Sequence, residues 1–446
     1  MGFNDSGSFV KTMTTPVSPS FSFSFNGWSR STDAGASFVD KGILVADPPG
    51  FPLPGDVLFR DLLGDPVLGC SSSTVFYYAS IAMDFRLVGG SFSGVSVSKS
   101  IDGGNTFQGA IMASSKPTSA MGVSHTLDKP WMAVDGSNLH VTYTDFFVDL
   151  SRCPLPGVGV AIEYVRSVDG GVTWSAPIVL DSVCGSTPFV QGSQVTVGPQ
   201  GSNAVYVAWE SFPAGFGTGR TIRLKKSVDG GATFPALFTT VSAVTAVGDG
   251  SRVQGLFRTF IDLQGLAVDR SNQLTSGNVY ITWHDGRGKS QADPFASPGC
   301  KGPATYCFGD VLLSRSTNGG STWSPPFQVN NPDPLSLTDH LFPGLVVDNA
   351  GGVRVVFYDR QRDNRNFLID TFVGTSLDGG ASWTNTRVTP NSFPSIHAQD
   401  LLVNPAYMGD YLGIAADKLA QQAGVIAAWG DNSLGDPNVV SSKQIP

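Results

Sequence analysis

Apolar and polar positions alternate along most of this chain in short runs, each closed by a glycine- or asparagine-rich turn. Runs such as TVFYYAS (74–80), LHVTYTD (139–145), AVYVAWE (204–210), NVYITWHD (278–285) and VRVVFYD (353–359) are rich in β-branched and aromatic residues. Period-two alternation in such residues predicts extended strands, not helices. Each run ends a longer pattern of strand, polar turn and strand, which recurs at 64–80, 128–145, 191–210, 263–285, 340–359 and 407–431. A third strand follows each of the first five, as in TIRLKK (221–226), and a fourth leaves the next turn, as in TWSAPIVL (173–180). The predicted unit is therefore a four-stranded antiparallel sheet with strands A to D.

The turn between C and D is written almost identically six times: STDAGASF (31–38), SIDGGNTF (100–107), SVDGGVTW (167–174), SVDGGATF (227–234), STNGGSTW (316–323) and SLDGGASW (376–383). Paired glycines supply positive φ in a tight connection. An Asp just before them can turn its carboxylate onto loop amides, and the aromatic residue begins the next strand. These are the residues a turn demands, so the octapeptide reads as scaffold. Spacings of 60 to 89 residues between copies suit one four-stranded sheet per repeat; the longest gap carries an insertion at 284–310.

The first octapeptide has no A and B strands before it, and the last A and B strands have no octapeptide after them. Joining the two ends predicts an all-β, six-bladed β-propeller over residues 21–435. Its last blade would combine about 407–432 with about 21–48, and residues 1–20 and 436–446 would be tails. Closure of this kind leaves no exposed sheet edge between the ends.

Composition narrows the function. Charged residues make up only 14% of 446 positions and the net charge is −8, with no basic stripe, which argues against a nucleic-acid partner. No apolar run approaches the roughly 20 residues of a membrane helix. The first 25 residues lack the pattern of a signal peptide, and a leader replaced by the starting Met is one reading of that. Of five cysteines, Cys300 and Cys307 flank a Gly/Pro-rich insertion, Cys153 and Cys184 frame one repeat, and Cys70 is left over. Two loop disulfides suit a secreted protein; five reduced thiols are the alternative.

The Ser-x-Asp-Gly-Gly-x-Thr-Trp frame resembles the Asp-box, or bacterial neuraminidase repeat, of the sialidase superfamily, over about residues 25–435. The resemblance implies three arginines that hold a substrate carboxylate, a Tyr nucleophile assisted by a Glu, and an Asp as acid/base. It implies a first arginine in a Phe-Arg-Ile-Pro motif; here Phe59-Arg60 is followed by Asp61, and Pro66 by contrast follows Asp65. The nucleophile's place on the last A strand matches YMGDYLG, so Tyr407 and Tyr411 are both candidates. Glu210 matches the family's Glu. Asp65 and Asp285 are candidate catalytic carboxylates, and Arg258, Arg287, Arg360 and Arg362 candidate clamps.

Strand order alone gives a related set. The B–C and D–A loops share the face opposite the C–D hairpins. B strands end in Thr144-Asp145, Trp209-Glu210, Trp283-His284-Asp285, Tyr358-Asp359-Arg360 and Trp429-Gly430-Asp431. Of five histidines, His125, His284, His340 and His397 fall on that face and His140 inside a strand. Aromatic faces such as Trp209, with His284, His340 and the carboxylates, suit a sugar ring, and arginines favour an acidic one. Two carboxylates hydrolyse a glycosidic bond; His and Tyr beside Arg would instead abstract a proton next to a uronate carboxylate, as a lyase does. The repeated aspartates also have a purely structural use as caps of loop amides. The expected protein is thus a glycan-acting exo-glycosidase of acidic sugars. The alternative is a non-catalytic carbohydrate- or protein-binding propeller, and a polysaccharide lyase is third. No cofactor is required; the oxygen-rich loop 359–366 is the place for a structural Ca²⁺. Membrane insertion is not expected, and a protein partner would use the rim.

Overall fold

The computed structural model describes residues 2–4, 24–48, 55–119, 122–154, 157–215, 219–249, 252–255, 257–259, 261–294, 300–331, 337–395, 409–416, 424–433 and 438–444. They form strands and turns without a helix, and no helix is long and apolar enough to cross a membrane. Two compact units result: residues 1–32 with 37–197, and residues 33–36 with 198–446.

The N-terminal unit contains two complete four-stranded antiparallel sheets. One runs Val57–Cys70, Phe76–Arg86, Ser91–Ser100, Ile111–Pro117; the other Ser124–Asp135, Asn138–Val148, Val158–Ser167, Ile178–Cys184. The C-terminal unit repeats the order in Leu263–Val268, Val279–Asp285, Asp310–Ser316, Phe327–Gln328, and in His340–Val347, Val353–Asp359, Leu368–Ser376, Thr384–Arg387. These are the predicted A-to-D units, of the kind that make propeller blades. The second strands are buried on both faces: every residue of Val205–Phe212, Val279–Asp285 and Val353–Asp359 is buried. Two-sided burial means that sheets pack face to face. In the N-terminal unit Tyr77, Val95 and Val97 of one sheet share a core with Met132, Val141 and Tyr143 of the next.

The octapeptides close their own turns as expected. Ser100 Oγ donates to Asp102 at 2.8 Å and accepts the Gly104 amide at 2.9 Å, while Asp102 accepts the Thr106 amide and hydroxyl at 3.0 and 2.7 Å. Copies at 167, 227 and 376 repeat the pattern, and Asn318 replaces the Asp in the fifth. The hairpin also seats on the preceding sheet. A Cβ at Gly170 would meet Lys99 and Tyr77, at Gly319 Lys226 and Tyr206, and at Gly379 Arg315 and Tyr280. With φ of +74°, +67° and +70°, these positions also need glycine for the backbone. Trp174, Trp323 and Trp383 then pack into the core between sheets.

First strands share a second device. Asp65, Lys129 and Phe342, each followed by proline, sit at φ of +52°, +47° and +52° where the strand register shifts. These are bulges that bend the first strand. Asp65, a candidate catalytic carboxylate, is therefore the left-handed residue of a repeated bulge.

The termini correct the sequence reading. Asn438–Gln444, expected as a tail, pairs antiparallel with Val425–Asp431 along its whole length, so both edges of that strand are filled from the C-terminal unit. Gly2–Asn4, also expected as tail, pairs with Asn26–Trp28 in a sheet completed by Val39–Ile43. The single blade expected from 407–432 and 21–48 is thus two three-stranded sheets. The first octapeptide still finds a seat on the last sheet, where Lys443 Nζ donates to Ala34 O at 2.9 Å and Ile426 lies against Gly35.

Burial pushes Asp102 up, but the combined hydrogen bonds from Thr106, Ser100 and Asn105 outweigh it and hold the carboxyl down to a pKa of about 2; at Asp378 the Ser382 hydrogen bond leads, burial opposes, and the value is again about 2. The unfolded value is about 3.9. Their folded-state pKa is depressed, so the stabilisation is present above pH 4 and is lost as pH falls towards 2. We expect the Asp102→Asn/Asp378→Asn double variant to melt a few degrees below wild type at pH 7, and this gap to narrow between about pH 4 and 2 when thermal unfolding is followed by circular dichroism.

Candidate functional site

The strand ends opposite the hairpins gather ionic clusters, sheet by sheet. In the first sheet of the N-terminal unit Arg60 is buried, ion-paired with Asp84 through Nε at 2.5 Å and Nη2 at 3.1 Å, and bonded to the Ala110 carbonyl. The arginine that resembles the family's first clamp is committed to its own sheet. Burial raises the Asp47 carboxyl to about 6, with Arg60 opposing and the Asp84 charge adding.

The second sheet builds the densest cluster. Asp145 lies on the second strand, Asn138–Val148, Glu163 on the neighbouring Val158–Ser167, and Lys116 near the end of Ile111–Pro117, the last strand of the preceding sheet. Lys116 Nζ contacts Asp145 Oδ2 at 2.8 Å and Glu163 Oε2 at 2.5 Å. Arg152 Nη1 lies 2.8 Å from the same Asp145 oxygen and 3.2 Å from Glu163 Oε1. Its guanidinium stacks 3.9 Å over Phe147, and a disulfide between Cys153 and Cys184 holds the adjoining chain. His125 points Nδ1 at both Asp145 oxygens, 2.9 and 3.0 Å away. The Tyr143 hydroxyl is 2.9 Å from Glu163 and 2.8 Å from Ser114 Oγ. Burial alone would raise Asp145; the His125 hydrogen bond and the Lys116 charge hold it below the usual carboxylate range. Burial and then the Glu163 charge push the Tyr143 phenol far up.

In the C-terminal unit Glu210, Arg220, Asp262 and His284 meet at full burial. Glu210 Oε2 accepts the amides of Asp262 and Leu263, and Arg220 Nη1 reaches Asp262 at 2.5 Å. His284 Nε2 lies 3.2 Å from Asp262. Burial, reinforced by the Asp262 charge, raises the Glu210 carboxyl well above the usual carboxylate range. Trp209 is likewise fully buried and has no face for a sugar. Asp285 caps the Arg287 amide at 2.8 Å and accepts from Trp283 Nε1 and Arg287 Nη2. His340 is buried between Asp310 and Asp359. Arg360 is buried too, donating to the Gln254 and Asn366 carbonyls, with Asp339 at 3.8 Å. Asp339 also accepts from the Tyr306 hydroxyl at 2.6 Å. Arg362 is exposed, 3.6 Å from Asp370. In the loop 359–366, Asp363 accepts the amides of Arg365, Phe367 and Leu368. No group of three or more metal-ligating side chains occurs among the described residues.

One candidate arginine forms its ion pair in reach of solvent. Arg258 Nη2 binds both oxygens of Asp410, at 2.9 and 2.8 Å, across 152 residues of sequence. Arg258 keeps 30% exposure, and half-buried Tyr411 follows Asp410 directly. Tyr407 and His397 lie outside the described residues.

Lys116, Arg152 and Glu163 escaped the sequence reading. Glu163 is an inward position of an alternating strand, and Lys116 and Arg152 look like surface charges. The one available signal was a glutamate in the apolar run VGVAIEYV, where a buried acid needs a cation.

No family model matches the sequence, and no curated protein matches it. Among solved structures the chain is similar to a Hadza microbial sialidase, at 13% identity over 87% of this chain and 66% of that one, with a TM-score of 0.46. It is similar to the NanB sialidase from Streptococcus pneumoniae in complex with 2-[(3-chlorobenzyl)ammonio]ethanesulfonate, at 12% identity over 87% and 70%, with a TM-score of 0.46. It is also similar to an α-L-arabinanase of Penicillium chrysogenum complexed with arabinobiose, at 12% identity over 79% and 84%, with a TM-score of 0.42. This chain spans just under two thirds of the Hadza sialidase. At these scores the likenesses carry no argument about site or reaction.

Glu210 offers a direct check on the buried clusters. Glu210→Gln keeps the shape and an acceptor oxygen for the Asp262 and Leu263 amides and should unfold within about 1 kcal/mol of wild type. Glu210→Ala leaves two backbone amides without an acceptor and should cost about 1–3 kcal/mol in urea titrations.

Proposed function

We propose that this chain is a sialidase-like, glycan-acting β-propeller that hydrolyses the terminal linkage of an acidic sugar. Arg258 would exchange its Asp410 partner for the sugar carboxylate, and Tyr411 would act as nucleophile. The observation that supports this is the Arg258–Asp410 ion pair, formed at a partly exposed point between segments far apart in sequence, with half-buried Tyr411 next to Asp410 in the chain. A guanidinium held by one carboxylate is oriented to accept another. The two disulfides suit an oxidising compartment, which supports export.

A specific observation favours the second reading, a propeller that binds glycans without cleaving them: Glu210, Trp209, His284, His340 and Arg360 are all buried. Hydrolysis of a fluorogenic sialoside separates the two. Under the first reading Tyr411→Phe lowers kcat by on the order of 10²-fold or more, and Arg258→Lys raises KM by about tenfold, each with an unchanged melting temperature. A wild type that binds sialosides on a glycan array but releases no fluorophore establishes the second reading.

A further inference from the structure

The cluster in the N-terminal unit has one feature that the other buried ion pairs lack. His125 is held through Nδ1 by both oxygens of Asp145, which fixes the tautomer with the proton on Nδ1 and a lone pair on Nε2. Nε2 makes no hydrogen bond, yet it is not among the buried atoms left without a partner, and the side chain keeps 8% exposure. By contrast, Nε2 of His284 and of His340 is sealed off. The carboxylates beneath are buried, at 0% and 2% exposure, whereas the cations bound to them, Lys116 and Arg152, keep 15% and 23%. Lys116 Nζ and Arg152 Nη1 are bound to Asp145 and Glu163, and Arg152 Nη2 is sealed off without an acceptor. Asp149 is the other carboxylate near the ring, and it is occupied with the amide and hydroxyl of Ser151. An oriented base beside two cations suits removal of a proton from a carbon that bears a carboxylate.

We propose that this cluster is a second site, independent of Arg258 and Tyr411, that cleaves 4-linked uronate glycans by β-elimination with His125 as general base. It rests on the reading of the ligand as an acidic glycan, not on hydrolysis. His125 Nε2 takes the proton from C5 of the uronate. The C5–H electron pair becomes the C4=C5 double bond, and the C4–O4 bond breaks. The departing oxygen keeps its electron pair and receives the proton that His125 removed. Lys116 and Arg152 offset the charge that grows on the carboxylate while the C–H bond opens. Asp145 is a positioning residue: it holds the imidazole and touches no substrate atom.

The test incubates the full chain with polygalacturonate, alginate and hyaluronan and follows the ultraviolet absorbance of the unsaturated uronate. We expect absorbance from at least one polymer, and a rate about 10²–10⁴-fold lower in His125→Asn, whose side-chain amide can still donate to Asp145. If that variant does not fold, Arg152→Lys decides: a kcat lowered about tenfold or more in the folded variant supports the site, and unchanged kinetics overturn it. Intact polymers with folded wild type, new reducing ends without absorbance, or full activity in folded His125→Asn each overturn the proposal. Fluorogenic sialoside turnover on the same preparation reports on the Arg258 site, so failure of one reading is separable from failure of the other.

Discussion

Strands buried on both faces need a cover on each side, and that requirement organises everything else in the chain. A sheet whose second strand reads as buried at every position, like Val279–Asp285, has no face to give to water. It is satisfied only between two other sheets. The octapeptide hairpin fixes the spacing of that stack. Its Ser and Asp consume each other's hydrogen bonds and those of the turn, and its glycines let the backbone lie against a Tyr and a cation of the sheet before. Its tryptophan enters the apolar layer between them. Local turn chemistry and long-range packing are thus carried by the same eight residues, which explains why the chain repeats them so closely.

The same stacking brings charges inside. Arg60 with Asp84, Lys116 and Arg152 with Asp145 and Glu163, and Arg220 with Asp262 pair charges on and beside the strands, with carboxylates that are all buried. A buried carboxylate without a partner would cost several kcal/mol, and one with a partner roughly breaks even. Replacing these pairs by apolar residues is not intrinsically unfavourable, so their repetition is not a matter of adding stability. Repetition also argues against catalysis for most of them, since a reaction needs one asymmetric place.

Strands, turns and the four-stranded unit were legible because alternation and turn residues are local properties. GDPV, DKPW and LFPG did not announce their bulges, because a register shift is a property of two strands. NVVSSKQ reads as tail: it has two apolar positions, Val439 and Val440, and no octapeptide behind it, and only the open edge of Val425–Asp431 makes it a strand. The site was legible as a class and not as roles. Aspartates and histidines after B strands do collect at one end of the sheets, but whether such a group meets solvent depends on what the next sheet brings over it. His125 and His284 look equivalent in sequence and differ in whether the second ring nitrogen is closed off.

That difference is where structure and chemistry part company. His284 accepts the Phe342 amide on Nδ1 at 3.4 Å, and its Nε2 is sealed in 3.2 Å from Asp262, so neither nitrogen faces solvent. His125 commits only Nδ1. A histidine fixed at a single nitrogen has a defined tautomer and a proton-accepting site, at the cost of leaving part of an imidazole near the surface where it contributes little to packing. Asp145 binds a lysine and an arginine as well as the histidine, more cations than one carboxylate needs to remain ionised. The excess is balanced only by reaching across to Glu163, on the next strand. A purely structural pair would need neither the second carboxylate nor the second cation. Two carboxylates against two cations balance each other, so a uronate carboxylate would be met by Lys116 and Arg152 in competition with Asp145 and Glu163.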